Sequence, residues 1–307
     1  MELLADRTIR RTNGHVNPSW TFPLFPRILC AMNRIDGKAL ATDIRAKVRA
    51  DIATSGIAPT LAVLLVGDDP ASRIYVNLKE KACTEAGIVT DIRRLPGDTS
   101  SADLVALIET WNADAHIDAI LVQVPLPSGH DQDAVIAAID PKKDVDGFHP
   151  TNEAALLAGE ATLFPPVHEG ILRLIGATDV VLKTSNAVII ANSETFAAPL
   201  ERLLTVAGCA TDIYGPADLD RAKLKDADIV VIAIGHANFL TATMVKAGVC
   251  IIDVGTNRLA DGKVVGDVDA ASFESVDGWL SPVPGGVGPM TVALLLKNTF
   301  ELAKRRT

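Results

Sequence analysis

Several features are missing from this chain, and each absence narrows the reading. Four cysteines (Cys30, Cys83, Cys209 and Cys250) are widely scattered, with no Cys-x-x-Cys and no Cys/His ligand spacing. Neither a disulfide framework nor a metal centre is expected, and a reducing cytoplasm fits best. No apolar stretch approaches the roughly 18–20 residues that cross a bilayer. No basic run stands out and the formal net charge is -9, which argues against a nucleic-acid or anionic-membrane surface. That balance does not exclude an anionic small molecule, because one pocket can oppose the global charge. Internal repeats, heptad runs and low-complexity linkers are absent too.

What is present is a chain of 307 residues, 48% apolar, with room for two ordinary domains and ample side chains for their cores. Residues 1–31 stand apart. They mix Arg7, Arg10, Arg11, Pro18, Pro23 and Pro26 without periodicity, and read as a disordered extension before a natural start at Met32. From there helix and strand patterns alternate. Helices are expected over 39–55, from Pro70 to Gly87, over 101–113 and over 131–139; strands over 61–66, 89–95 and 119–123. A second series begins near residue 185, with strands over 187–190, 210–214, 229–234 and 249–254, and a last helix over about 288–304. Such alternation implies parallel sheets with helices on their faces. The expected fold is α/β with two domains and a cleft between them. Residues 32–150 form the first, completed by the helix over 288–307, and residues 151–287 form a Rossmann-like dinucleotide-binding domain.

The chemistry is expected between Asp68 and Cys83. Asp69 can cap a helix whose first position suits Pro70. Ile74, Leu78 and Ala82 recur every four residues and predict its buried stripe. Tyr75 and Lys79 share the same spacing, so their side chains aim at one place from a neighbouring face. A helix start beyond the carboxyl end of a strand is where α/β sheets put their sites. Taken alone, such a pair more often packs its ring and snorkels its amine into water.

Three further stretches change that balance: Gln123-Val124-Pro125-Leu126-Pro127, Lys143-Asp144-Val145-Asp146-Gly147-Phe148-His149-Pro150, and Pro282-Val283-Pro284-Gly285-Gly286-Val287-Gly288-Pro289-Met290-Thr291. Together with Val66–Ser72, Tyr75 and Lys79, and in this order, they resemble the bifunctional methylenetetrahydrofolate dehydrogenase/methenyltetrahydrofolate cyclohydrolase family. Short-chain dehydrogenases also use a Tyr-x-x-x-Lys spacing, but they place a Gly-rich loop before it and none precedes Tyr75. The Pro-Gly-Gly block is the most specific match.

The resemblance implies roles. Lys79 would be the main acid/base residue, Tyr75 would orient the substrate, and Gln123 would hold Lys79 and help to position the attacking water. Asp146 would accept N–H bonds from the pterin ring. Val287, Gly288 and Pro289, with Met290, would line the folate pocket, the glycines letting backbone come close to the ligand. A lysine near pKa 10.4 is a poor base at neutral pH, so burial must lower it towards about 7–8. Asp144 reads as an Asx-type loop anchor. The implied cofactor is NADP, with NAD as the alternative; the substrate is a folate, the assembly a homodimer, and no metal is implied.

The dinucleotide side departs from the family pattern. Where the family carries G-R-S-x-x-V-G-x-P, this chain reads Ala191-Asn192-Ser193-Glu194-Thr195-Phe196-Ala197-Ala198-Pro199. Cofactor contacts would come from Ala191, Asn192, Ser193 and Thr256, without the arginine and glycines. Phe196 and Ala197 are expected to add bulk where the pyrophosphate approaches. The family's P-C-T-P-x-G becomes Pro165-Pro166-Val167-His168-Glu169-Gly170, and its polar H-S-R/K-T becomes Tyr214-Gly215-Pro216-Ala217. His168 reads as a polar residue at a helix start rather than a new catalyst. Three readings follow: an ordinary bifunctional enzyme; a cyclohydrolase alone or an NAD-using variant; and a folate-binding paralogue without turnover.

Overall fold

A computed structural model describes residues 31–306. The extension expected over 1–31, Cys30 included, lies outside them apart from Ala31. In chain order the elements are β1 (Met32–Arg34), α1 (Gly37–Ser55), β2 (Thr60–Val66), α2 (Pro70–Ala86), β3 (Val89–Leu95), α3 (Ser101–Ala113), β4 (Ala119–Val122) and α4 (Gln132–Ala137). Then come α5 (Pro150–Ala158), α6 (Pro166–Gly176), β5 (Asn186–Ala191), α7 (Glu194–Val206), β6 (Ala210–Tyr214), α8 (Arg221–Asp226) and β7 (Ile229–Ala233). The last are β8 (Val249–Asp253), β9 (Asn257–Arg258), β10 (Val264–Val265), β11 (Gly278–Leu280) and α9 (Val287–Arg306).

The chain divides into two compact units. Among the described residues, one holds 31–40, Leu156–Thr162 and Val167–Met290; the other holds Ala41–Ala155, Leu163–Pro166 and 291–306. The second unit is built on a parallel sheet ordered β3-β2-β4. Central position explains the apolar run of β2, because both of its faces are covered. Leu61, Val63 and Leu65 pack with Val76 and Cys83 of α2 and Leu295 and Phe300 of α9. Ala62, Leu64 and Val66 pack with Leu104, Ile108 and Trp111 of α3.

The first unit is built on a six-stranded parallel sheet ordered β1-β11-β8-β7-β5-β6. Its order reverses at β5, whose neighbours are β6 on one side and β7 on the other. The carboxyl ends of β5 and β7 therefore flank a topological switch point. Strands β1 and β11 were not foreseen. They are three residues each, too short for alternation to show, yet β1 puts residues 32–34 in this sheet.

The structure corrects one expected pattern. Ile74 and Leu78 are 48% and 51% exposed, and the buried face of α2 is Ser72, Val76, Lys79, Ala82, Cys83 and Ala86. The helix is short of bulk on its inner side, so small residues sit against the sheet and the two large aliphatics face out. Cys83, Cys209 and Cys250 are free thiols in the core.

Candidate active site

The phase of α2 is set at both ends. Asp69 accepts a 2.7 Å hydrogen bond from the Ser72 N–H, Pro70 fills the first turn, and Gly87 closes the helix in the left-handed conformation. Lys79 is thereby turned inward and is only 8% exposed. Its Nζ donates to Gln123 Oε1 at 3.0 Å. Gln123 follows β4 directly, where its backbone N–H donates to the Leu64 carbonyl at 2.8 Å and its Nε2 donates to the Val124 carbonyl at 2.8 Å. With Nε2 committed there, Oε1 is the atom left facing the amine.

Burial pushes the Lys79 amine below the ordinary lysine value, and the nearby negative charge of Asp146 opposes that shift. Burial acts in the other direction on Asp146, raising its carboxyl to about 6; Lys79 pulls it down and Asp144 adds to the rise. Lys79, Gln123 and Asp146 are thus brought together within one unit. Tyr75 stands one turn earlier on α2, half-buried. Cys83, one turn later, is no nucleophile: burial pushes its thiol up to about 12.

The segment that carries Asp146 is pinned by its neighbours. Lys143 Nζ donates to the carbonyls of Trp111, Asn112 and Asp114, closing the end of α3. Asp144 accepts from the Gly147 and His149 N–H groups and from Asn152 Nδ2, at 2.8–3.0 Å, so it is the loop anchor expected of it. Gly147 takes a positive φ of 73°, open to glycine at no steric cost. Asn298 of α9 donates to the Val145 and Phe164 carbonyls. These supporting roles were missed, although Asn298, a polar residue within an apolar stripe, was a visible signal.

Val287, Gly288 and Pro289 open α9 in the first unit. Val287 is buried and Met290 wholly so. The preceding Gly286 packs so tightly on Gly37 that a Cβ at Gly37 would lie 2.2 Å from the Gly286 carbonyl oxygen. The close approach expected of this block is made, at least at Gly286, to the chain itself.

At the switch point, Ala191 ends β5 and Asn192 Nδ2 donates to the Ile234 carbonyl, just beyond β7, at 2.6 Å. Asn192 therefore stitches the two strand ends together. Ser193 is the N-cap of α7 but its hydroxyl makes no capping bond, leaving the first-turn amides without a side-chain acceptor from that cap. Thr256 lies exposed beyond β8, at the same carboxyl edge of the sheet.

Behind this edge two carboxylates hold the loops. Asp267 accepts from the N–H groups of Ile234, Gly235 and His236 and from Asn257 Nδ2. Asp253 accepts from the N–H groups of Gly255, Asp267 and Val268. Its pKa is nevertheless raised to about 6, because burial outweighs those donors.

The expected bulk at the phosphate loop needs correction. The Phe196 ring lies against His168, with centroids 5.1 Å apart, and Ala197 is buried. His168 sits in the first turn of α6, fully buried, and its Nε2 bonds the Phe196 carbonyl at 2.8 Å. A carbonyl only accepts, so Nε2 carries the proton. Burial lowers the pKa of His168 to about 4, and the ring is neutral at neutral pH.

Residues 35–146 match the family model described as tetrahydrofolate dehydrogenase/cyclohydrolase, catalytic domain, and residues 165–307 match that of its NAD(P)-binding domain. The chain belongs to the tetrahydrofolate dehydrogenase/cyclohydrolase family. The bifunctional protein FolD of Acidiphilium cryptum is 46% identical over 273 residues, covering 89% of this chain and 98% of that one. The crystal structure of the FolD enzyme from Campylobacter jejuni is 41% identical, with a TM-score of 0.86 over 90% of this chain and 100% of that one. FolD of Trypanosoma brucei, solved with NADP cofactor and inhibitor, is 29% identical, with a TM-score of 0.85 over 92% of this chain and 99% of that one. Both family domains, α/β with parallel sheets, are thus present in one chain.

Proposed function

We infer that the protein oxidises 5,10-methylenetetrahydrofolate to 5,10-methenyltetrahydrofolate with NADP and hydrolyses that product to 10-formyltetrahydrofolate. The observation that carries this reading is the buried Lys79 amine, 3.0 Å from Gln123 Oε1 and within electrostatic reach of Asp146. NADP supplies the hydride acceptor for the first step. The carboxyl edge of the six-stranded sheet suits it: the uncapped first turn of α7 offers backbone N–H groups to the pyrophosphate, with Ala191, Asn192, Ser193 and Thr256 around it. Neither the loop nor Tyr214-Gly215-Pro216-Ala217 brings a basic side chain to a 2′-phosphate.

In the second step water adds to the methenyl carbon. Lys79, held by Gln123, takes a proton from that water and returns it to N5 as the carbon–N5 bond breaks; the other water proton leaves to solvent. Burial matters here because only the free amine can accept a proton. Asp146 accepts N–H bonds from the pterin and Tyr75 orients it. The same reading makes the protein a cytoplasmic homodimer, on the family resemblance alone.

The test is spectrophotometric. Methenyltetrahydrofolate should form from methylenetetrahydrofolate with saturable dependence on NADP, and supplied methenyltetrahydrofolate should be hydrolysed. Lys79→Met should lower the hydrolysis rate by at least about 100-fold, the usual scale for an acid/base group. Unchanged hydrolysis by folded Lys79→Met would remove the lysine from the mechanism.

A further inference from the structure

His168 has no part in the chemistry proposed above, yet its placement is unusual. A fully buried imidazole is retained in the first turn of α6 with its Nδ1 meeting no hydrogen-bond partner among the described residues. An apolar side chain would avoid leaving a buried acceptor unmatched. What the imidazole does contribute is one directed bond, from Nε2–H to the Phe196 carbonyl at 2.8 Å, and a ring face at 36° to the Phe196 ring.

Phe196 is the third residue of α7. Its carbonyl and ring are therefore both gripped within the turn whose N–H groups face the carboxyl edge of the sheet. At the other end of the same short connection, Asn192 is tied to the Ile234 carbonyl, and Ile234 in turn is held through its N–H by Asp267. Between these two anchors lie Ser193, Glu194 and Thr195. Two of the departures from the family pattern, His168 and Phe196, thus turn out to touch each other.

We propose that His168 is a positioning residue for the dinucleotide: by holding the Phe196 carbonyl it fixes the first turn of α7, so that the turn's amides are set for the pyrophosphate before the cofactor arrives. The role rests on the reading of the carboxyl edge as the NADP site. It adds to that reading a specific side chain, on a different helix, whose effect is on dinucleotide affinity rather than on proton transfer. Preorganisation of this kind lowers the ordering cost of binding.

The test compares wild type, His168→Leu and His168→Gln, the last keeping an amide donor of similar reach. NADPH affinity is measured by fluorescence titration, and amide hydrogen exchange is followed without cofactor at Ala197, whose N–H donates to the Ser193 carbonyl at 3.0 Å. Hydrolysis of supplied methenyltetrahydrofolate reports whether the folate side is intact. His168→Leu should bind NADPH about tenfold more weakly, the loss of one buried hydrogen bond. Its KM for NADP should rise with little change in kcat, and the Ala197 amide should exchange faster. His168→Gln should recover most of the affinity and the protection. If His168→Leu does not fold, His168→Asn, polar but too short to reach the carbonyl, takes its place in the comparison. Equal affinity and equal exchange in the folded variant overturn the proposal. A wild type that hydrolyses methenyltetrahydrofolate but binds no NADPH overturns it together with the assignment of the cofactor edge, an outcome told apart by the wild-type titration alone.

Discussion

Lys79 and Asp146 shift in opposite directions for a single reason: burial disfavours the charged form of each. Their mutual attraction opposes both shifts without cancelling them. The pH dependence follows from the signs. Asp146 is a carboxylate above its raised value of about 6 and loses its acceptor character as pH falls through it. The folate KM should be flat on the alkaline side of that value and rise on the acid side. Asp146→Asn should raise KM throughout and abolish the acid limb, read from initial rates across pH 5–8. A KM for wild type that stays flat through pH 5 would remove Asp146 from pterin binding. The hydrolysis rate should climb with pH until the depressed Lys79 amine is mostly free. The lowering at Lys79 is what the family resemblance requires of a base, whereas the rise at Asp146 was not legible, because a carboxylate in a loop reads as solvent-exposed until its burial is known.

At the scale of elements, α2 shows where pattern reading works and where it fails. Its ends were legible because capping is local: Asp69, Pro70 and Gly87 each do what their chemistry favours. Its buried face was not, because spacing rules weight large aliphatics, and this helix packs Ser72, Val76, Ala82, Cys83 and Ala86 inward while Ile74 and Leu78 face out. Strand β2 was legible for the opposite reason, since a continuous apolar run marks a strand covered on both faces. The Pro-Gly-Gly block was recognised as special, but its tightest contact, with Gly37, joins residues about 250 positions apart in sequence, which no local rule detects. Gly37→Ala tests that contact. A methyl group 2.2 Å from a backbone oxygen has no flexible neighbour to displace, so a loss of about 2–3 kcal/mol or more is expected in urea unfolding. A loss below about 0.5 kcal/mol would mean that the block yields easily.

At the scale of the molecule, two parallel sheets of different size divide the labour, and α9 belongs to both units by sequence. Its first residues lie with the six-stranded sheet, while residues 291–306 cluster with the three-stranded one. Near its end, Arg306 Nε reaches Asp118 Oδ1 at 2.6 Å, where the carboxylate is fully buried and also accepts from the Thr60 N–H. Arg306→Met strands that buried charge. Thermal unfolding should show a loss of about 3 kcal/mol, near the lower end for breaking a buried pair since the arginine is partly exposed; an unchanged midpoint would show that Thr60 suffices. The alternation of helix and strand made the two-domain α/β plan legible, and the four motifs made the folate side legible. The short strands and the His168–Phe196 contact were hidden, because they depend on tertiary neighbours rather than on spacing.

The Lys79 site has one more consequence on the proposed function. Oxidation leaves a positive carbon on the folate, and a protonated lysine beside it would push that intermediate away. Burial favours the uncharged form of that amine, the form that serves as base, while Asp146 remains anionic above about 6. On that function, such surroundings would hold the cation between its making and its hydrolysis, which favours residence at the site over recapture from solution.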